Sequence, residues 1–414
     1  MRWAGLSPIQ NHPQMAYTLP GMNANLLLLT LCQGLFLTNN VTFIAINGLV
    51  GFALAPLPWM ATLPVMGYVV GGALSTGLVA RTQQRWGRQR SFQLGLLVAL
   101  GSALLCAWAA VSRNFGLLVL ATLVAGYYNA NANLYRFAAA ELAGPEGKEK
   151  AVSWVMAGGL IGAVAGPNLA AASRDLLAVP FAGAYLGLGV VAVAGLALMS
   201  FLQFPPPPVP AAGVQDQGRP LGEIMRQPVF IVAALSGALG YGVMNLLMAA
   251  TPLAMQQCGL PFGDAAFVLE WHVIGMFAPG FFTGNLIKRF GALPVMAMGV
   301  ALNLVCIGIA LAGVNLHNFL VALFLLGVGW NFLFTGATTL SLTAYTSVER
   351  DRAQGALNFF VFVTMAVTSL SSGVLVTTQG WNILNLGSVL PVVLCALGLA
   401  WLAWVRRGGG PAAA

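Results

Sequence analysis

Apolar residues run along this chain in blocks of about twenty, each closed by a short polar interval, and that spacing predicts membrane-crossing helices. Spans are expected near 25–47, 58–80, 91–112, 115–139, 151–173, 179–202, 228–250, 265–287, 293–313, 317–340, 354–377 and 383–405. Residues 1–24 hold Pro, Asn, Gln and Met but no apolar core with a small-residue cleavage site, so they read as a short tail and not a removable signal. The longest hydrophilic stretch, 203–227, contains four consecutive prolines from Pro205 to Pro208 and divides the chain almost at its midpoint. The expected organisation is an N-terminal six-helix bundle over 1–202, a cytoplasmic linker over 203–227 and a C-terminal six-helix bundle over 228–414.

Composition agrees with the blocks. Apolar residues make up 58% and charged residues 7%, whereas a soluble globule carries about 25% charge. A net charge of +8 would suggest nucleic acid in a soluble chain. Here the basic residues sit at the ends of apolar blocks, where they orient the protein, and no nucleic-acid partner is expected. The densest run, from Arg81 to Arg90, places four arginines between spans two and three. Lys and Arg concentrate on the cytoplasmic side of short loops, so this loop is assigned to the cytoplasm. When the spans alternate, sixteen basic residues share its side, and Arg113 and Arg174 lie opposite. Both termini are then cytoplasmic, in a bacterial-type inner membrane.

Five cysteines, odd in number and scattered, indicate neither a disulfide framework nor a metal site. No cofactor is expected. The chain has no nucleotide-binding loop, so ATP is not expected as a direct energy source, and His12, His272 and His317 are dispersed without a zincin or nucleophile-elbow motif, so an enzyme is not expected.

Short matches recur at about half the chain length. Gly87 lies 204 residues before Gly291, Lys148-Glu149-Lys150-Ala151 lies 202 before Arg350-Asp351-Arg352-Ala353, and Gly126-Tyr127 lies 203 before Gly329-Trp330. Parallel repeats of this kind belong to transporters whose solute binds between the halves near the bilayer midplane.

Polar residues inside the blocks are candidates for chemistry, because a polar side chain facing lipid is costly. In span four, Thr122, Asn129, Asn133 and Arg136 share one helical face. These amides can bind solute or neighbouring helices, and Arg136 can bind solute, reach the interface or pair with Glu141. Span one repeats amides at Gln33, Asn40 and Asn47, beside Phe36 and Phe43. Glu270 is the acidic residue placed well inside a span, about 9 Å from its outer end, and is the candidate proton carrier. His272 could assist, although the two side chains point about 200° apart on a helix. Gly162, Gly166 and Pro167 allow span five to approach a neighbour closely and bend.

Two stretches carry a family resemblance. Arg85-Trp86-Gly87-Arg88 and Gly284-Asn285-Leu286-Ile287-Lys288-Arg289-Phe290-Gly291 resemble the loop motif of the major facilitator superfamily, usually Gly-x-Leu-Ala-Asp-Arg-x-Gly-Arg-Arg. The run from Gly162 through Gly166 to Pro167 resembles the motif of its proton antiporters. The chain departs from the pattern at Gln84 and Lys288, where the family has Asp, at Thr122, where some branches have Arg, and at Ala170-Ala171, where Gly-Gly is usual. The resemblance implies an all-α polytopic membrane protein with 12 transmembrane helices in two pseudo-symmetric six-helix bundles, working by alternating access. It also implies that spans one, four, seven and ten line a cavity, which adds Tyr241, Asn245, Trp330, Asn331, Thr335 and Thr338.

The expected solute site is Asn40, Tyr127, Asn129, Asn133, Arg136, Asn245, Trp330 and Asn331, suited to an amphipathic or aromatic organic solute. Glu270 and His272 would exchange protons. Arg85, Gly87, Arg88, Gly162, Gly166, Pro167, Arg289 and Gly291 would shape gating. Proton-coupled export by antiport is the first expectation. Proton-coupled uptake of an organic nutrient or metal chelate is the second, and a membrane-embedded enzyme or solute sensor the most distant. The partners expected are solute, protons and lipid, with the protein a monomer.

Overall fold

A computed structural model describes residues 24–143, 148–204, 218–346 and 349–408. The tail before residue 24 and the proline-rich part of the expected linker lie outside the described residues. Within hydrocarbon, backbone groups must bond within their own segment, and every apolar block is accordingly helical. The helices are α1 (Ala24–Leu54), α2 (Leu63–Val111), α3 (Phe115–Ala132), α4 (Tyr135–Leu142), α5 (Lys148–Ala157), α6 (Gly159–Ser173), α7 (Ala182–Phe201) and α8 (Leu221–Arg226). They continue with α9 (Pro228–Gln257), α10 (Phe262–Phe277), α11 (Gly280–Phe290), α12 (Ala292–Ala312), α13 (Leu316–Ser341), α14 (Arg350–Thr378) and α15 (Gly380–Gly408).

Eleven described segments are long and apolar enough to cross a membrane, and one of them, Pro58–Val111, has 54 residues. At 1.5 Å per residue it is about 80 Å long, more than twice a hydrocarbon core of about 30 Å. It therefore crosses twice, and the crossings number twelve. The turn falls at Gly87, where φ is 78° and ψ 171° inside α2. Only glycine adopts that conformation without strain. Gly291 repeats it between α11 and α12, with φ 87° and ψ 162°. The two loop glycines thus do the same backbone work 204 residues apart. The run around Arg85 and Arg88, expected as a loop, is helical on both sides of Gly87 because Arg and Gln are good helix formers. Span four breaks between α3 and α4, span five between α5 and α6, and span eight between α10 and α11.

The halves repeat at the level of helix crossings. A Cβ added to Gly71 would stand 1.9 Å from the Leu123 carbonyl oxygen, and one at Gly126 2.3 Å from Gly72 N, so α2 and α3 touch backbone to backbone. In the second half a Cβ at Gly275 would stand 2.7 Å from the Phe324 oxygen, and one at Gly327 2.4 Å from the His272 oxygen. Both crossing helices start on an asparagine cap: Asn114 Oδ1 accepts from Leu117 N at 2.9 Å and Asn315 Oδ1 from Asn318 N at 3.0 Å. Asn114 and Asn315, Leu123 and Phe324, and Gly126 and Gly327 are each 201 residues apart. Span four is therefore related to span ten by 201 residues, not by the 203 that Gly126-Tyr127 and Gly329-Trp330 suggested. The two-residue shift rotates a helix by about 200°, and it moves the expected site.

Outside the spans, two ion pairs brace the end of the molecule that carries the basic loops. Arg88 Nε donates to Glu141 Oε2 at 3.0 Å and its Nη2 to Oε1. Glu349, only 2% exposed, accepts from Arg219 Nε and Nη2, both at 2.8 Å, and from Thr346 N at 2.9 Å. The guanidinium hydrogen bonds, followed by that backbone N–H, hold the Glu349 carboxyl well below the usual carboxylate range. Because the folded form binds its proton less readily than the unfolded chain, the pair stabilises fully above an unfolded value of about 4.3. That contribution fades as pH falls below it. Glu349→Gln should lower the thermal midpoint at pH 7 and flatten its decline between pH 5 and pH 3, as read by intrinsic fluorescence in detergent. An unchanged acid slope would remove Glu349 from this account.

A cavity between the two halves

Side chains from both halves converge on one cavity of about 260 Å³. Gln33, Phe36 and Asn40 come from α1, Tyr68 from α2, Asn129 and Asn133 from span four and Arg136 from α4. Tyr241 and Asn245 come from α9, Phe277 from α10, Trp330 and Phe334 from α13, and Asn358 and Phe362 from α14. Methionines 156, 244, 248, 276 and 365 fill the intervals. Methionine is flexible and polarisable, so a wall rich in it fits flat ligands in several poses.

The aromatic wall has a defined geometry. Trp330 and Phe334 stack at 5.1 Å with an interplanar angle of 10°, and Tyr241 meets each edge-on at 5.3 Å. Across from them lies an amide ladder in which Asn133 Nδ2 donates to Asn129 O at 2.8 Å and Asn129 Oδ1 at 3.0 Å. Asn40 Nδ2 approaches the Tyr68 hydroxyl at 3.4 Å. Asn245 Nδ2 is occupied by Met365 O, Thr368 Oγ1 and Ser369 Oγ, which fixes the orientation of its amide. Two lining N–H groups are buried without a partner, Arg136 Nε and Trp330 Nε1.

Six of the eight expected solute residues line this cavity: Asn40, Asn129, Asn133, Arg136, Asn245 and Trp330. Tyr127 does not; its hydroxyl pairs with Thr82 Oγ1 at 3.0 Å. The 201-residue register explains this, because the counterpart of Trp330 is Asn129. Asn331 is also turned away, donating to Met276 O at 2.7 Å and accepting from Thr283 Oγ1 at 2.6 Å. It ties α13 to the break between α10 and α11. Tyr68, Phe334, Asn358 and Phe362 were missed. Phe334 carried a usable signal, since it lies four residues after Trp330 and continues its helical face, whereas Tyr68 lies on span two and Asn358 and Phe362 on span eleven, outside the four spans that the resemblance implied.

The halves meet at the end remote from the basic loops. Gly373 N donates to Thr62 Oγ1 at 3.1 Å, Phe181 and Phe262 meet edge-on at 5.0 Å, and Asn168 Nδ2 donates to Glu270 Oε2 at 2.9 Å. The cavity consequently opens toward the end carrying Arg85, Arg88 and Arg289. Glu270 is outside the cavity, in this latch between α6 and α10. His272 is fully buried, with Nδ1 2.6 Å from Leu323 O. It faces α13 and not solute. Gly162 and Gly166 face α1 within the first half: a Cβ would stand 2.4 Å from Leu37 Cβ and 2.9 Å from Val41 Cβ respectively. Pro167 lies inside α6.

Twelve crossings, a repeated half and a cavity between the halves define a membrane transporter and not an enzyme. The chain belongs to the major facilitator superfamily, whose family model matches residues 26–278 and again 235–413. It is 38% identical over 374 residues to the riboflavin transporter RfnT of Brucella anthropi, covering 90% of this chain and 94% of the relative. It is 28% identical over 354 residues to the uncharacterized transporter YddS of Bacillus subtilis, covering 81% of each. Among solved structures it resembles a bacterial homologue of the human lysosomal transporter Spinster, with a TM-score of 0.71 and 15% identity, covering 94% of this chain and 98% of that one. These matches make it a multi-pass membrane protein that moves a small solute.

Proposed function

We propose that the protein carries riboflavin or a close flavin relative through the cavity. The observation that supports this reading is the pairing of a stacked Trp330–Phe334 wall with an amide ladder at Asn129 and Asn133. A flat ring system packs on the first. An edge that alternates acceptors with an N–H donor is read by the second, because each asparagine offers both a donor and an acceptor. The 38% identity to a riboflavin transporter over nearly the whole length supports the same solute.

The basic residues at the open end place that end in the cytoplasm by the positive-inside rule, so the described state faces inward. Export by antiport drew its support from Gly162 and Gly166. They pack α6 on α1 within the first half, and uptake is the direction we propose. Proton coupling is assigned to the outer latch, where the Glu270 carboxylate accepts from Asn168. Arg113, Arg174, Asp175 and Asp264 are the other charged groups at this end.

Radiolabelled riboflavin flux into proteoliposomes holding only this protein tests the reading. Flux above empty vesicles, saturable and faster with an inward proton gradient, is expected. Glu270→Gln should abolish the gradient effect and leave riboflavin-for-riboflavin exchange intact. Absence of flux in either direction would sink the flavin assignment.

A further inference from the structure

We propose that the cavity reads charge: it accepts flat aromatic solutes that are neutral or anionic, docks an acceptor group on Arg136, and rejects flat cations. The inference rests on the cavity being the solute site and adds the class of solute it selects.

Arg136 is the one charged side chain among the described residues lining the cavity, and no carboxylate, lysine or histidine accompanies it there. Its Nε is buried without a hydrogen-bond partner. The contrast with two other arginines is informative. Arg88 holds Glu141, and Arg219 holds Glu349. Glu141, the acid that chain order offers to Arg136, is taken by Arg88. The Arg136 guanidinium lies over the Phe137 ring, 4.9 Å from its centroid, which covers one face of the plane and leaves the N–H edge for a ligand. A guanidinium whose Nε is buried, with no carboxylate among the described cavity residues, attracts an anion or a carbonyl edge strongly, and presents that group with a planar fork. The same uncompensated charge in a low-dielectric wall repels a second cation.

The register adds a reason for this position. Arg136 has Ala337 as its counterpart at 201 residues, so the charge sits on one side of an otherwise aromatic and amide chamber. A ligand stacked on Trp330 and Phe334 therefore has one electrically distinct edge, and that edge sets which way round it binds.

Three flat probes of different charge test this on the purified full-length protein: riboflavin, its 5′-phosphate as the anion, and proflavine as the cation. Binding is read by tryptophan quenching, with size exclusion confirming that each variant is folded. Both flavins should bind, with the phosphate at least as tight as riboflavin and proflavine at least tenfold weaker. Arg136→Gln should weaken the phosphate about ten- to a hundredfold, the scale of a lost charged hydrogen bond, and bring proflavine closer to it. Arg136→Lys should keep the order of the three with looser binding, because it retains charge but not the fork. Proflavine binding as tightly as the flavins in the unsubstituted protein, or an order unchanged in Arg136→Gln, overturns the proposal. If riboflavin alone fails while the two charged probes still separate at Arg136, the flavin reading falls and the charge reading stands. If no probe binds, both fall.

Discussion

Substituting valine for Gly126 is expected to leave no folded protein in the membrane. A Cβ at this position would lie 2.3 Å from Gly72 N and 2.4 Å from the Gly71 carbonyl carbon. Overpacking usually costs about 1–3 kcal/mol, where neighbouring side chains can shift. Here the obstruction is backbone in the middle of α2, so the helices must separate, and a native state stable by only about 5–15 kcal/mol does not absorb that. Gly327→Val should do the same at the equivalent crossing, where the His272 carbonyl oxygen would stand 2.4 Å away. Gly77→Val and Gly101→Val are the matched controls, since nothing lies within 4 Å of a Cβ at either. The measurement is size exclusion of fluorescently tagged protein extracted in mild detergent. A sharp monodisperse peak for Gly126→Val would mean that α2 and α3 do not cross as described.

The second large effect concerns solute binding. Trp330→Ala should weaken riboflavin binding by about five- to a hundredfold, since alanine substitution of an aromatic platform costs about 1–3 kcal/mol per stacked base. Trp330 stacks on Phe334, meets Tyr241 edge-on and lies 6.2 Å from Phe277, so its removal opens the whole aromatic wall. Trp330→Phe should recover much of the affinity by restoring a flat apolar face. Asn331→Leu provides the contrast. Its amide is committed to Met276 and Thr283 and is not part of the cavity lining, so the substitution should lower the thermal midpoint and leave the relative affinity for flavins unchanged. If Trp330→Ala and Asn331→Leu behave alike in a binding titration, the cavity is not the solute site.

Much of the architecture was legible without coordinates, and for a physical reason. Lipid forbids unpaired backbone, so an apolar block of sufficient length has one available structure, and Arg and Lys mark the ends of blocks by their cost in hydrocarbon. The Gly87 and Gly291 positions were also legible, because a conformation reserved for glycine leaves a fixed letter in the sequence. The site was partly legible. Asn129, Asn133 and Arg136 share a face by helical periodicity alone, and that face does line the cavity. Tyr127 was misplaced because a two-letter match set the repeat two residues off, and a helix turns that small error into the opposite face.

What sequence could not supply was the choice among partners for equally polar side chains. Asn245 and Asn331 look alike as letters in apolar blocks. One meets the cavity wall with its amide held by Thr368 and Ser369, and the other closes a helix break. Glu270 is an acid within a span by either reading, yet only the approach of α6 shows that it faces Asn168 across the joined ends of the halves. Arg136 was open to Glu141 until the structure gave that acid to Arg88. The sequence by itself determined the twelve crossings, the two halves and the aromatic, amide-rich and nearly uncharged character of the interior, because these follow from transfer of each residue type out of water. Tertiary structure alone decided which polar group each buried side chain satisfies, because residues far apart in the chain compete for the same donor or acceptor, and only their positions in space settle that competition.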